Sequence, residues 1–194
     1  MVFEGADATG KSTQAALLAS RLGALLTREP GGTPLGERIR QLLLDTAEHA
    51  PNDRAEVMLM LAARAQHVAD VIEPALAGGR DVVCDRFSGS TVAYQGYGRG
   101  LDPGELRRLS NWAAAGLEPD VVVLLRVDAG TAEARRDGRG SADRIEGEGR
   151  DFASRVMGGF AAQADDDPAR WRVVDGSGSI DEVAARVWEA VDAG

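Results

Sequence analysis

The chain is nearly devoid of lysine: Lys11 is the one lysine among 22 basic residues, and every other basic residue is arginine. A mutational bias toward GC-rich codons accounts for the arginines, but leaves open why a lysine stands at position 11. Cysteine is equally scarce. Cys84 alone excludes an internal disulfide framework and a cysteine-built zinc site, and reads as a small buried strand residue in a reducing, cytoplasmic compartment. The two histidines, His49 and His67, belong to no motif and read as exposed or capping side chains rather than catalytic bases. Long apolar runs are missing as well. Val121 to Leu125 is among the longest, far below the roughly 20 residues that span a bilayer, and Met1-Val2-Phe3-Glu4 does not open a signal peptide. Finally, positive charge is in deficit. With 31 acidic residues the formal charge is -9, which disfavours nucleic acid or an anionic membrane as partner. Any anionic substrate must be held by a local basic cluster.

What the chain does contain suffices for one domain. Its 194 residues are 44% hydrophobic, show no internal repeat and no Pro/Ser-rich linker, and read as a single unit over 1–194. Short, continuous, often β-branched runs at Met1 to Phe3, Ala24 to Thr27, Asp81 to Cys84, Val121 to Val127 and Trp171 to Val174 have the pattern of strands buried on both faces. Helical spacing separates them, as at Ala15, Leu18 and Leu22, at Leu35, Ile39, Leu42 and Leu43, and at Ile180, Val183, Val187 and Val191. Ser179-Ile-Asp-Glu182 supplies a capping box for the last helix. Strands alternating with helices predict an α/β fold: a five-stranded parallel sheet with helices on both faces, and ligands at the carboxyl ends of the strands. The stretch Ala55 to Leu76 is apolar nearly all round at Val57 to Ala63, so it lies either centrally or in a subunit interface, and Pro74 is expected to bend rather than stop it. Trp112, Trp171 and Trp188 are expected to pack elements together. From Asp137 to Arg150, glycines mix with charges and nothing could build a core, which predicts a short mobile lid.

Gly5-Ala6-Asp7-Ala8-Thr9-Gly10-Lys11-Ser12, followed by Thr13, is a full Walker A pattern between a strand and a helix. Its glycines let backbone N–H groups turn toward phosphate oxygens, aided by the positive end of the helix. Lys11 reaches the β and γ phosphates as a compact point charge, and the Ser12 hydroxyl suits Mg²⁺. A planar guanidinium fits neither the space nor the role, which explains the one retained lysine. Asp85-Arg86 follows the third strand and reads either as a strand-end ion pair or, beside a Walker A, as a phosphate and metal group. Arg135, Arg136, Arg139 and Arg144 crowd the glycine-rich loop, as a solvated charge run or as a lid that closes on phosphates with arginines. An NTP site alone leaves a kinase and an ATP-driven switch both open.

The remaining motifs carry a resemblance. Phe3-Glu-Gly-Ala-Asp7 with the Walker A, Thr27-Arg-Glu-Pro-Gly-Gly-Thr33, Arg40-Gln-Leu-Leu-Leu-Asp45, Ala62-Ala-Arg64, Asp85-Arg-Phe87, Thr91-Val-Ala-Tyr-Gln-Gly96, Gly98-Arg-Gly100 and Asp143-Arg-Ile-Glu146 resemble, in order and spacing, the thymidylate kinases of the P-loop nucleoside monophosphate kinase family. The likeness covers nearly the whole chain. It is to the bacterial type, whose catalytic arginines come from the lid. The resemblance implies a P-loop NTPase fold, ATP with Mg²⁺, dTMP as acceptor, and a homodimer. It further implies that Asp7 accepts the nucleoside 3′-hydroxyl, that Arg40 and Arg86 bind the dTMP phosphate, and that Arg64 donates to thymine O4. Gln95 and Thr91 would face N3, and Tyr94 would exclude a ribose 2′-hydroxyl. Lys11, Arg86, Arg139 and Arg144 would be catalytic, with Ser12 and Asp85 at the metal. Two positions depart from the family: Met60 stands where a phenylalanine usually covers the base, and Ala8 replaces a glycine, harmless at negative φ and strained otherwise. Another P-loop kinase remains as the alternative, and more distantly a nucleotide-dependent switch.

Overall fold

The computed structural model describes residues 1–45, 50–137 and 144–192. Five strands, β1 (Val2–Glu4), β2 (Leu25–Arg28), β3 (Val82–Asp85), β4 (Val122–Arg126) and β5 (Trp171–Asp175), form one sheet in the order β2-β3-β1-β4-β5. Every pairing is parallel, with Phe3 opposite Asp85 on one side and Val123 on the other. Each strand lies within about one residue of its apolar run, but only the central strands β1, β3 and β4 are buried on both faces as expected; the edge strands β2 and β5 leave Leu26 and Val173 exposed, because each has a neighbour on one side only.

Helices α1 (Lys11–Leu22) and α9 (Ile180–Asp192) cover one face. There Ala15, Leu18, Val183 and Val187 pack on Phe3, Val83, Val123 and Leu125. The opposite face receives α2 (Pro34–Leu44), α3 (Asp53–His67), α6 (Pro103–Ala113) and α8 (Arg150–Asp166). Val2, Val82 and Cys84 point toward this side, against Val68, Ile72 and Ala114, so alternate residues of each central strand serve opposite cores. Cys84 is buried and free, as expected.

The helix starts follow the sequence. Thr33, Asn52 and Asp102 cap α2, α3 and α6 through side-chain oxygens, and Ser179 and Glu182 exchange bonds in a full capping box. The long apolar stretch continues beyond His67 as a π turn, Val68–Ile72, and then as α4 (Glu73–Ala77). Pro74, which cannot donate to the preceding turn, thus stands in the first turn of α4 and does not end the helical path. A short α5 (Ser88–Thr91) leads into a second π turn, Val92–Gly98. Helix α7 (Ala129–Asp137) ends where the glycine-rich segment begins, and a 3-10 turn at Glu146–Glu148 precedes α8. Arg139 and the rest of 138–143 lie outside the described residues, as does His49.

Two sequence expectations change. Trp112 packs nothing together; it is 80% exposed on α6. His67 is neither exposed nor a cap. It is completely buried, bonded through Nε2 to Thr27 Oγ1 at 2.6 Å and through Nδ1 to Glu29 Oε1 at 3.0 Å.

Candidate active site

Strand order places the chemistry. β1 is central, and the chain crosses from β3 to β4 on its two sides, so the loops after β1 and β3 meet where the order reverses. The loop after β1 is Gly5–Gly10. A Cβ at Gly5 would run into the Leu125 carbonyl, and Gly10 has φ 97, so neither turn admits a side chain without strain. Unlike α2, α3, α6 and α9, helix α1 has no side-chain cap: Gly10 stands at its N-cap, and its first N–H groups remain available to an anion. Ala8 adopts φ 64, a left-handed conformation that alanine tolerates poorly. Lys11 lies in this cradle, buried, with Nζ donating to Ala6 O at 2.6 Å. Burial first, and then the nearby Arg86 charge, bring its ammonium down to about 8. Thr9 donates to Ala6 O at 3.0 Å and so braces the loop, while Thr13 is exposed on the first turn.

From the end of β3, Asp85 accepts a short hydrogen bond from the Ser12 hydroxyl through Oδ2. Its Oδ1 is buried without a partner among the described residues. A hydroxyl beside a carboxylate with one unused oxygen fits Mg²⁺, a hard ion that takes few protein ligands and completes its shell with water and phosphate. Arg86, also at positive φ (73), reaches back across the strand ends. It donates to Gly5 O at 2.9 Å and Ser90 Oγ at 3.0 Å and ion-pairs with Asp7. Tyr94 donates its hydroxyl to Asp7 Oδ2 at 2.8 Å. Burial would raise the Asp7 carboxyl, but the charges of Arg86 and Lys11 and these bonds outweigh it and hold Asp7 at about 2.

A cleft opens beside this cluster, lined in part by Asp7, Arg40, Met60, Arg64, Arg86, Thr91, Tyr94 and Gln95. All eight residues that the resemblance assigns to the acceptor thus face one cavity. Arg40 donates to Pro30 O at 3.1 Å, next to the cis peptide Glu29-Pro30. Arg64 is locked by Glu29 Oε2 at 2.8 Å, Thr91 Oγ1 at 3.0 Å and Ser110 Oγ at 3.1 Å. Phe87, which carried no separate role in the sequence, also lines the cleft; its ring lies under the Arg64 guanidinium at 5.0 Å. Met60 therefore shares the apolar wall with an aromatic.

Other contributors were hidden. Glu4 is a buried carboxylate that accepts from Phe87 N and Ser90 N, both at 3.0 Å, and from the Ser90 hydroxyl at 2.5 Å. Burial, only partly offset by those bonds and by Arg86, pushes its carboxyl up. It lies inside a quoted motif but carried no assigned role. Glu29 joins Arg64 to His67. Arg135 reaches the phosphate loop, donating to Thr9 O at 3.3 Å and Gly176 O at 3.0 Å. Arg144 goes elsewhere than sequence reasoning expected. It ion-pairs with Glu56 and donates through Nε to Leu43 O at 2.9 Å, on the acceptor side of the cleft and not at Lys11. Glu56 is the buried acid on the inward face of α3 that receives it.

Comparison with known proteins agrees with this geometry. The sequence profile of the family described as thymidylate kinase matches residues 3–187. The chain is 48% identical over 210 residues to a thymidylate kinase of Solidesulfovibrio magneticus, covering 98% of this chain and 97% of that one. It is 50% identical over 184 residues to one from Pelotomaculum thermopropionicum, with 91% and 85% coverage. Its fold is similar to the crystal structure of thymidylate kinase from Ehrlichia chaffeensis, with a TM-score of 0.79, 32% identity, and 98% and 96% of the two chains covered. With the phosphate loop, the strand-end Asp85-Arg86 pair and the eight-residue cleft all in one place, the chain belongs to the thymidylate kinase family.

Proposed function

We propose that the protein transfers the γ-phosphoryl group of ATP to dTMP, giving ADP and dTDP. One observation carries this reading: a single cleft is lined both by the bonded pair Arg64 and Thr91 with Gln95 and by the ion pair of Arg86 and Asp7, which belongs to the phosphate loop. A phosphate oxygen of dTMP attacks the γ-phosphorus, the bond to the β,γ-bridging oxygen breaks, and its electron pair leaves on ADP. The nucleophile is already an anion, so no general base is required, and the protein's task is positioning and charge neutralisation.

Gly5, Ala6, Asp7, Ala8, Thr9, Gly10, Lys11, Ser12 and Thr13 would hold the ATP phosphates, with Lys11 on the β and γ groups. Ser12 and Asp85 would hold Mg²⁺, which when bound neutralises charge on the β and γ phosphates. Arg86 stands between donor and acceptor, and Arg40 takes the other side of the acceptor phosphate. Asp7 is ionised and has lone pairs beyond those used by Arg86 and Tyr94, so it can accept the sugar 3′-hydroxyl. The Tyr94 ring, fixed against Phe152 and Phe160 at 6.2 and 6.1 Å, is the wall a ribose 2′-hydroxyl would meet. Arg139 would supply positive charge from the lid, over about 137–150, and Arg144, within the same stretch, pairs with Glu56.

At the base, Arg64 offers N–H to thymine O4 and meets an amino group in cytosine. A site built to pair polar edges rejects such a mismatch by about 10⁴ or more, whereas the methyl missing from uracil is worth roughly 1 to 3 kcal/mol. An ADP-release assay with Mg-ATP and dTMP, dUMP, dCMP, dGMP or no acceptor tests this. Strong dTMP turnover, a weak dUMP signal and almost none with dCMP is expected. Equal rates on dTMP and dCMP would sink the base assignment, and acceptor-independent hydrolysis would sink the kinase. We further assign the working form as a cytoplasmic homodimer, supported by the buried unpaired Cys84 and by apolar side chains left exposed on α2, α3 and α6. No helix among the described residues is long and apolar enough to cross a membrane.

A further inference from the structure

One buried carboxylate outside every motif governs the base end of the cleft. Glu56 is 1% exposed and gathers donors from three side chains. Gln95 Nε2 donates to its Oε1 at 2.8 Å, Arg99 donates through Nε to Oε1 and through Nη2 to Oε2, both at 3.1 Å, and Arg144 donates to Oε2. Burial would push the Glu56 carboxyl up, but the bonds from Arg99, Arg144 and Gln95 outweigh it and hold the group below its ordinary range, so it is ionised. An ionised carboxylate offers acceptors only. Gln95 must therefore turn its NH₂ toward Glu56, and its carbonyl Oε1 is the amide atom left for the cleft that Gln95 lines.

The orientation has a chemical consequence that rests on the acceptor being dTMP. Thymine and uracil carry a hydrogen on N3, whereas cytosine presents a bare lone pair there. An outward Oε1 accepts from the first and repels the second. An outward NH₂ would do the reverse.

We propose that Glu56 is a positioning residue for base selection: it fixes the Gln95 amide with its acceptor outward, so that cytosine is refused at N3 independently of its refusal by Arg64 at the 4-position. Arg99 and Arg144 serve this by keeping the carboxylate charged.

Glu56→Gln tests the proposal. The amide is isosteric but has one oxygen for three donors and an NH₂ of its own, so Gln95 is free to rotate. With the wild-type and variant proteins, kcat and KM are measured for dTMP and dCMP at saturating Mg-ATP, with folding checked by circular dichroism. The ratio of kcat/KM for dCMP to that for dTMP is expected to rise about 10- to 100-fold, since one of two polar mismatches is removed. The rise should lie mainly in KM, with dCMP still slower because Arg64 is intact. Glu56→Asp keeps the buried charge for the arginines but draws the carboxylate a methylene away from Gln95, and should give a smaller rise in the same direction; it carries the test if Glu56→Gln does not fold. An unchanged ratio in a folded variant, or a proportional fall on both nucleotides, overturns the proposal, because a merely structural acid would affect both alike. A wild-type protein with no preference for dTMP over dCMP removes the acceptor reading itself, and that result precedes any variant.

Discussion

Ser12 and Asp85, 73 positions apart, face each other across the ends of β1 and β3, with the serine hydroxyl donating to Asp85 Oδ2 and Asp85 Oδ1 buried without a partner among the described residues. Removing the charge at Asp85 should loosen the metal, not the nucleotide base. Asp85→Asn is expected to raise the Mg²⁺ concentration for half-maximal rate about 10- to 100-fold, in the range typical of groups that hold or orient metal ligands. Initial rates across a Mg²⁺ titration at fixed ATP read this directly; an unchanged midpoint with a lower plateau would assign Asp85 to Arg86 alone.

Lys11 gives a pH signature. Its ammonium, at about 8 in the folded chain against 10.5 ordinarily, is disfavoured by burial. The unfolded chain therefore binds more protons between those values, and the contribution of this group to stability rises as pH increases from about 8 toward 10.5. Anionic phosphates favour the charged form and reverse the effect on binding. ATP affinity should fall as pH rises through about 8, with proton uptake on binding near pH 8.5. Calorimetry in buffers of different ionisation enthalpy measures that uptake, and Lys11→Met should abolish it.

Ala8 is the reverse of a conservative loss. At φ 64 the methyl group is held in a region that disfavours it by about 1 to 2 kcal/mol, while glycine loses about 0.4 to 1 kcal/mol through greater freedom of the unfolded chain. Ala8→Gly should stabilise the protein modestly, by less than about 1.5 kcal/mol. Urea unfolding at constant m would show it as a higher midpoint, and a lower midpoint would mean that the loop accommodates the alanine without strain.

Helix α3 packs against both α2 and α6, and the three leave Leu42, Met58, Leu109 and Trp112 exposed at 61, 67, 37 and 80%. If two copies cover these side chains, Trp112→Glu should shift sedimentation at micromolar concentration from dimer to monomer. A wild-type monomer under the same conditions would leave the tryptophan exposed for another reason.

Legibility in the sequence followed range. The strands, the capping box at Ser179, the Walker A loop and the cleft-lining motifs rest on contiguous or periodic residues, and one-dimensional patterns carry such information. Glu56 with Gln95, Arg99 and Arg144 could not be read this way, because its partners lie 39, 43 and 88 positions off. Its one local signal was an acid standing immediately before the run Val57 to Ala63, which is apolar nearly all round. His67 failed for the same reason: its partners, Thr27 and Glu29, come from another element. Backbone conformation is a third class. The positive φ of Ala8 and Arg86 is imposed by the loop and the strand end they occupy, and nothing in alanine or arginine announces it.

The lone lysine has a practical corollary. With Lys11 the only lysine in these 194 residues, side-chain amine chemistry meets no target in them outside the phosphate site. Any acylation that reaches a side-chain amine must inactivate, and bound ATP must shield against it. A reagent usually considered indiscriminate becomes, on this chain, a reporter of nucleotide occupancy.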